Sequence, residues 1–188
     1  MTAPSRREEI IAAAAELFAR HGFHGVGIDD IGAAVGVSGP ALYRHFSSKD
    51  AILGEMLTSI SKSLLEGGSG RLAAAEDPAD ALRELVAFHT DFALSHPALI
   101  TVQERDLGNL RDADRREVRT LQRRYVEVWV QAIQAAHHGV TEERARACAH
   151  AVFGLINSTP HSRYLGRPEL TDLLAVLALG ALDAVGVS

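Results

Sequence analysis

The stretch IGAAVGVSGPALYRHFSSKD, residues 31–50, constrains this chain more than any other, because its punctuation allows only two short helices joined by a tight turn. Ile31 and Ala34–Val35 give one apolar helical face, and Gly36 stands where that helix must break, at a residue free to take positive φ. Val37 buries the turn. Ser38 falls at an N-cap position, its hydroxyl placed to accept from the first free amides of the next helix. Pro40 is tolerated in that first turn because amides there have no partner inside the helix. Ala41 and Leu42 anchor a second helix of about two turns, leaving Tyr43, Arg44 and His45 on its outer faces. Phe46 plugs its end, Ser47–Ser48 restart a helix, and Lys49 stands in the new first turn.

These residue types suit duplex DNA. Ser38, Gly39, Pro40 and Ala41 are small enough to let backbone approach base edges in the major groove. Tyr43 and His45 can donate to phosphate or stack on sugar, and Arg44 can reach phosphate or guanine. Lys49 adds a full charge to a positive helix end, so a phosphate clamp is expected there. A helical hairpin with glycine in its turn also occurs in domains that bind no nucleic acid, and the rest of the chain has to decide.

Residues 7–53 resemble the N-terminal domain of the TetR family of transcriptional repressors. The matching pattern is Arg7, Ile10–Ile11, Ala14, Leu17–Phe18 and Gly22–Phe23, then Ile28, Ile31, Gly36–Val37–Ser38, Leu42–Tyr43, His45–Phe46 and Lys49. The resemblance implies a three-helix reader over 1–47 and a ligand-binding and dimerisation domain over 48–188, with about nine helices in all. It further implies a homodimeric repressor on a palindromic operator, released by an effector bound among the later helices. Two departures stand out. Val26 and Gly27 replace the usual Thr and Ser or Thr before the second helix, so a hydroxyl contact to phosphate is missing while Gly27 still caps at little cost. Gly32 and Val35 replace alanines, and Gly32 loosens its helix by about 1 kcal/mol unless close packing against the first helix needs it.

The length of 188 residues allows one large core or two modest domains. No alternating β-branched run appears, which points to an all-α chain. The net charge is −5, and residues 1–50 carry five Lys or Arg against six Asp or Glu. DNA binding must therefore rest on a local patch and on helix N-termini rather than on bulk charge. The start, MTAPSRREEI, has no signal-peptide core, and the longest apolar run, Leu173–Leu182, is too short to span a bilayer. The sole cysteine, Cys148, fits a reducing cytoplasm and reads as a small buried hydrophobe.

Helix boundaries follow from local signals. Ser5–Glu8 is a capping box opening a helix to about Arg20, and a fourth helix runs from Ser48 to Leu65, with EGGSGR at 66–71 as a flexible break. Asp77–Pro78 opens a helix to Ser95, Pro97 another to Asp106, and Leu107–Leu110 is a turn. A long helix covers Asp112–Ala136, Thr141 caps one to Ser158, and Pro168 opens the last, to Val185. The helix over 141–158 has an apolar stripe (Ala145, Cys148–Ala149, Val152–Phe153, Ile156) and a small one (Ala147, Ala151, Gly154, Ser158). The helix over 168–185 is apolar all round and needs cover on both faces. The second cover is expected from the same pair in another protomer, an isologous four-helix interface through 141–158 and 168–185 with Ala178 near its middle.

Phe88 and Phe92, Tyr125 and Trp129, and Phe153 and Asn157 each stand one turn apart, with Gln103, His89 and His150 as polar handles. Apolar walls with few polar groups describe a small-molecule pocket, and equally an ordinary core; the resemblance favours the pocket. Between Arg111 and Arg124 six arginines face three acids. Such a run is either a solvated helix face or a docking surface for an anionic effector, for example a phosphate-bearing acyl thioester. No metal-ligand spacing, phosphate loop or nucleophile elbow is present, so neither metal, cofactor nor catalysis is expected. The rival function, a helical protein–protein interaction module, leaves Ser38–Lys49 without a purpose.

Overall fold

The computed structural model of the protein describes residues 5–161 and 164–186, so the first four residues of the polar start lie outside it. The described residues are all-α: α1 Arg6–His21, α2 Ile28–Ala34, α3 Gly39–Leu42, α4 Lys49–Ala74, α5 Pro78–Ser95, α6 Pro97–Asp106, α7 Asp112–Ala136, α8 Glu142–Ile156 and α9 Arg167–Asp183, with three short 3₁₀ turns. Among these residues no single helix is long and apolar enough to cross a membrane.

The helix starts obey side-chain capping. Ser5 Oγ accepts from the Glu8 amide at 3.3 Å while Glu8 returns a carboxylate to the Ser5 amide at 2.7 Å. Asp77 accepts from the Asp80 amide at 2.7 Å ahead of α5, and Thr141 from the Arg144 amide at 3.3 Å ahead of α8. Gly36 takes φ +70 after α2, the left-handed conformation that ends helices cheaply only at glycine.

Two compact units emerge, the first being Met1–Ile60 with Ala98–Arg119. Its core is Ile10, Phe18, Ile31, Leu42, Ile52, Leu53 and Met56, each fully buried. Segment 98–119 is held to α1 by Arg105, which donates to the carbonyls of Phe18 and Ala19 at the C-terminal end of that helix. Arg105 also pairs with Asp106 at 3.0 Å, and the nearly buried Asp106 carboxylate takes a further bond from Asn109 Nδ2 at 3.1 Å. The Asn109 oxygen in turn meets His24 Nε2 at 3.0 Å. Gly32 is needed where it stands: a Cβ there would lie 2.7 Å from the Val37 carbonyl. The close neighbour is the following turn rather than the first helix.

The second unit is Ser61–Pro97 with Thr120–Ser188. Within it α5, α8 and α9 pack on one another around Leu85, Ala93, Ala149, Val152, Ile156, Leu174 and Leu182, and Trp129 and Ile133 of α7 are fully buried. Two expectations are corrected here. Residues 66–71 do not break the chain, because α4 continues through them to Ala74. A Cβ at Gly67 would lie 2.3 Å from Phe88 Cζ, and one at Gly68 2.5 Å from Tyr125 Cε2, so these glycines admit aromatic rings onto the helix backbone. Ala178 is fully buried within the unit, whereas Leu173, Val176 and Leu177 of the same helix are exposed. In a helix apolar on all sides the sequence gives no phase, and the packing against α5 and α8 sets it.

Gly32 and Gly70 separate backbone propensity from close approach. Gly70, in the helical interior of α4, has nothing within 4 Å of a Cβ. Gly70→Ala should raise stability by about 1 kcal/mol. Gly32→Ala should lower it despite the same gain in propensity, because the methyl meets a backbone carbonyl. Urea unfolding of the two variants decides; the same sign for both would remove the steric role of Gly32.

Candidate nucleic-acid interface and ligand site

The α3 segment is too short to hold itself, and its pose is imposed from around it. Ser38 Oγ accepts from the Ala41 amide at 3.4 Å, and Leu42 and Phe46 are buried beneath. Helix α3 proper has four residues rather than two turns, although helical bonding carries on through the turn, with the Phe46 amide donating to the Leu42 carbonyl at 3.1 Å. Ser38, Pro40, Tyr43 and Arg44 are exposed, while Ala41 and His45 are partly so. Gly39 is buried; a Cβ on it would stand 2.3 Å from Asp29 Oδ1, so its face turns inward.

Two cations secure the segment. The Arg7 guanidinium lies 4.1 Å over the Phe46 ring, donates to the His45 carbonyl, and pairs with Glu55 of α4. Lys49, expected at a phosphate, also has partners inside the protein. Its Nζ donates to the carbonyls of Phe23 and Val26 at 2.7 Å each and sits 4.3 Å from the Phe23 ring, tying down the α1–α2 connection. Two of its three N–H groups are thus committed to backbone. Arg6 pairs with Glu9 and Arg20 with Glu16. Among the described residues of the first fifty, Arg44 is therefore the Lys or Arg with no carboxylate or carbonyl partner. The sequence had singled out Arg7 only as part of the family pattern, and nothing local to it signals a partner forty-eight residues away.

The expected ligand residues divide. Phe92, Tyr125, Trp129, Phe153 and Asn157 surround His89, which is 4 % exposed. His89 Nδ1 faces the Tyr125 hydroxyl at 3.2 Å and Nε2 faces Asn157 Oδ1 at 3.1 Å. An amide oxygen only accepts, so Nε2 carries the proton and the tyrosine hydroxyl donates to Nδ1. Burial pulls the imidazole pKa down from 6.5 to about 4, against the opposing pull of Asn157, so the ring is neutral. Burial likewise pushes the Tyr125 hydroxyl above its ordinary range. Tyr125 stacks on Phe153 at 5.6 Å and 17°, and Trp129 meets Phe153 edge-on at 5.0 Å. Phe88 instead turns to α4, with Arg71 4.1 Å over its ring. Gln103 belongs to the first unit, away from this cluster's own unit, and His150 is exposed. Of the arginine run, Arg111, just ahead of α7, pairs with Asp114, and Arg115 pairs with Asp112 of its own helix.

On the outer side of α8 and α9, Ala147, Ala151 and Gly154 are exposed together with Leu173, Val176 and Leu177. Cys148 is half-buried with its thiol 3.7 Å from the Ala181 carbonyl, and burial raises its pKa.

Comparison with known proteins bears on this arrangement. The sequence profile described as bacterial regulatory proteins, tetR family, matches residues 10–56, and a second, tetracyclin repressor-like, C-terminal domain, matches residues 75–161. The HTH-type transcriptional repressor NicS of Pseudomonas putida is 32 % identical over 96 residues, 51 % of this chain and 45 % of that protein. The HTH-type transcriptional activator FasR of Mycolicibacterium smegmatis is 37 % identical over 87 residues, 46 % of this chain and 40 % of that protein. The chain thus spans under half the length of these curated relatives. The crystal structure of a TetR-family transcriptional regulator from Bordetella parapertussis superposes with a TM-score of 0.82 at 26 % identity, covering 92 % of this chain and 93 % of that one. With both profiles matched in order along a fold shared end to end, this chain belongs to the tetR family of bacterial regulatory proteins.

Proposed function

We propose that the protein is a homodimeric DNA-binding transcriptional repressor, released from a palindromic operator by a small, largely apolar effector. The carrying observation is the Ser38-capped α3, held from behind by Arg7 and Lys49 with Pro40, Tyr43 and Arg44 facing outward. Residues 1–47 are the reader and 48–188 the regulatory domain, working in the cytoplasm where the operator is. Arg44 supplies base or phosphate contact, Tyr43 and His45 backbone contact, and Lys49 acts through the loop it fixes. The two readers are joined through 141–158 and 168–185, whose outer apolar side chains find cover in the partner. The effector occupies the cluster of Phe92, Tyr125, Trp129, Phe153 and Asn157, with Phe88 at its margin against α4.

Selection of bound duplexes from a random-sequence pool should enrich an inverted repeat with half-sites about one helical turn, or slightly more, apart. Arg44→Ala should lose about 1–3 kcal/mol and relax preference at one position of each half-site. Lys49→Met should weaken binding to all duplexes and lower thermal stability together, since it frees two backbone carbonyls. A Lys49→Met protein of unchanged stability and reduced affinity would restore the phosphate-clamp role.

The interface is tested at Val176, which is 68 % exposed in the single chain. Val176→Glu costs a monomer nothing but buries an unpaired charge in a dimer, commonly worth several kcal/mol. Sedimentation at micromolar concentration should show a dimer for the parent and a helical monomer for the variant. A monomeric parent overturns the interface.

Effector and operator must oppose each other by the same factor, typically 1–3 kcal/mol of coupling. Calorimetric titration of any compound that quenches Trp129 fluorescence, with and without the selected duplex, measures it. Equal affinities in the two titrations mean that the compound is not the inducer.

A further inference from the structure

Among the described residues, three buried side-chain polar atoms stand without a hydrogen-bond partner: Thr90 Oγ1, Trp129 Nε1 and His137 Nε2. The indole is the one that ring contacts place in the cluster around His89. Trp129 is fully buried, and its plane stands steeply against three neighbours: His89 at 6.1 Å and 84°, Tyr125 at 6.4 Å and 85°, and Phe153 at 5.0 Å and 74°. An indole N–H only donates, so nothing else in that side chain relieves the deficit. The Tyr125 hydroxyl is near enough to feel the indole, which opposes the upward push of burial on its pKa, yet it stands outside hydrogen-bond geometry. That hydroxyl is engaged with His89, and the other nitrogen of the imidazole is engaged with Asn157. One buried donor is left over. Phe92, Phe153 and Asn157 are partly exposed, so the cluster reaches the surface on their side, and all of these residues belong to the second unit.

We propose that the ligand of this cluster is an uncharged carbonyl compound whose oxygen accepts from Trp129 Nε1–H. This rests on the ligand-site part of the function proposed above. A buried donor without an acceptor is costly, and an accepting oxygen carried in on an apolar body removes that cost as it binds. A hydrocarbon of the same outline fills the same space and leaves the indole as it was. An alcohol brings a donor of its own to a place where the imidazole and the amide oxygen are already engaged. A free acid brings a full charge among three rings and a neutral imidazole, which no side chain of the cluster offsets. Arg71 is occupied elsewhere, over the Phe88 ring and on the Gly67 carbonyl. A ketone or ester oxygen meets the leftover donor and adds neither donor nor charge.

The test uses the full chain and three probes of equal carbon count: butyrophenone, butylbenzene, in which a methylene replaces the carbonyl, and γ-phenylbutyrate, which carries a carboxylate. Trp129 is the only tryptophan, so a single indole N–H cross-peak reports the site. Butyrophenone should move that proton downfield, and the C=O stretch of the bound ketone should fall in frequency. Butylbenzene should bind without the downfield move, and γ-phenylbutyrate should bind at least about tenfold more weakly than the ketone. Trp129→Phe keeps a ring and removes the donor. By calorimetry its preference for ketone over hydrocarbon should be about tenfold smaller than the parent's, with hydrocarbon affinity within about threefold. Binding of butylbenzene alone, an unmoved indole with the ketone bound, a preference that survives Trp129→Phe, or an acid that binds as tightly as the ketone overturns the proposal and leaves the ligand site standing. Should Trp129→Phe not fold, the cross-peak and the C=O stretch in the parent complex decide alone. If neither butyrophenone nor butylbenzene binds, the ligand-site reading fails and the proposal falls with it.

Discussion

Two cations tied to backbone and ring partners, Arg7 and Lys49, organise the surroundings of α3. Helix α3 is a single turn, too short to persist without outside support, and Leu42 and Phe46 are buried beneath it. Arg7 bridges α1, the His45 carbonyl and Glu55, and Lys49 pins Phe23 and Val26. Charge-assisted bonds of this kind to carbonyls are stronger and more directional than neutral ones. In a chain of net charge −5, the described cations of the first fifty residues other than Arg44 are engaged within the protein, and Arg44 is exposed.

The second unit is organised on a different principle. Its centre is a neutral imidazole bonded on both sides, surrounded by rings, with Arg71 held over Phe88 by cation–π contact. No side chain in the ring of Phe92, Tyr125, Trp129, Phe153 and Asn157 carries full charge, so the proposed effector would be told apart there by shape and hydrogen-bond placement. The arginines that suggest an anionic ligand are in part engaged with nearby acids, Arg111 with Asp114 and Arg115 with Asp112.

Features governed by near neighbours in sequence were legible in advance. Ser5, Ser38, Asp77 and Thr141 cap where their spacing places them, Gly36 takes its positive φ, and α6 and α7 begin and end at the residues expected. Features governed by distant chain were not. The glycines of EGGSGR carry the composition of a linker, and only Phe88 and Tyr125, which arrive from other helices, convert them into a contact surface. Lys49 at a helix start invites an outward reading until Phe23 and Val26 present two carbonyls behind it. Residue type alone groups Gln103 with the cluster, yet segment 98–119 is allied with α1 through Arg105. Ala178 shows the limit of periodicity: a uniformly apolar helix has no phase to read.

The glycine pair of α4 also bears on how this protein can be taken apart. A Gly-Gly-Ser-Gly tract between an N-terminal reader and the remaining chain is where a dissection would naturally be made, and composition alone recommends it. The cut would fall in mid-helix, removing the backbone on which two aromatic rings rest and exposing both to water. It would also leave the N-terminal piece without residues 98–119 and the Arg105 bonds to α1, so a fragment containing every reading residue would lack part of its own core. The severable joint that the sequence advertises is, mechanically, a spine.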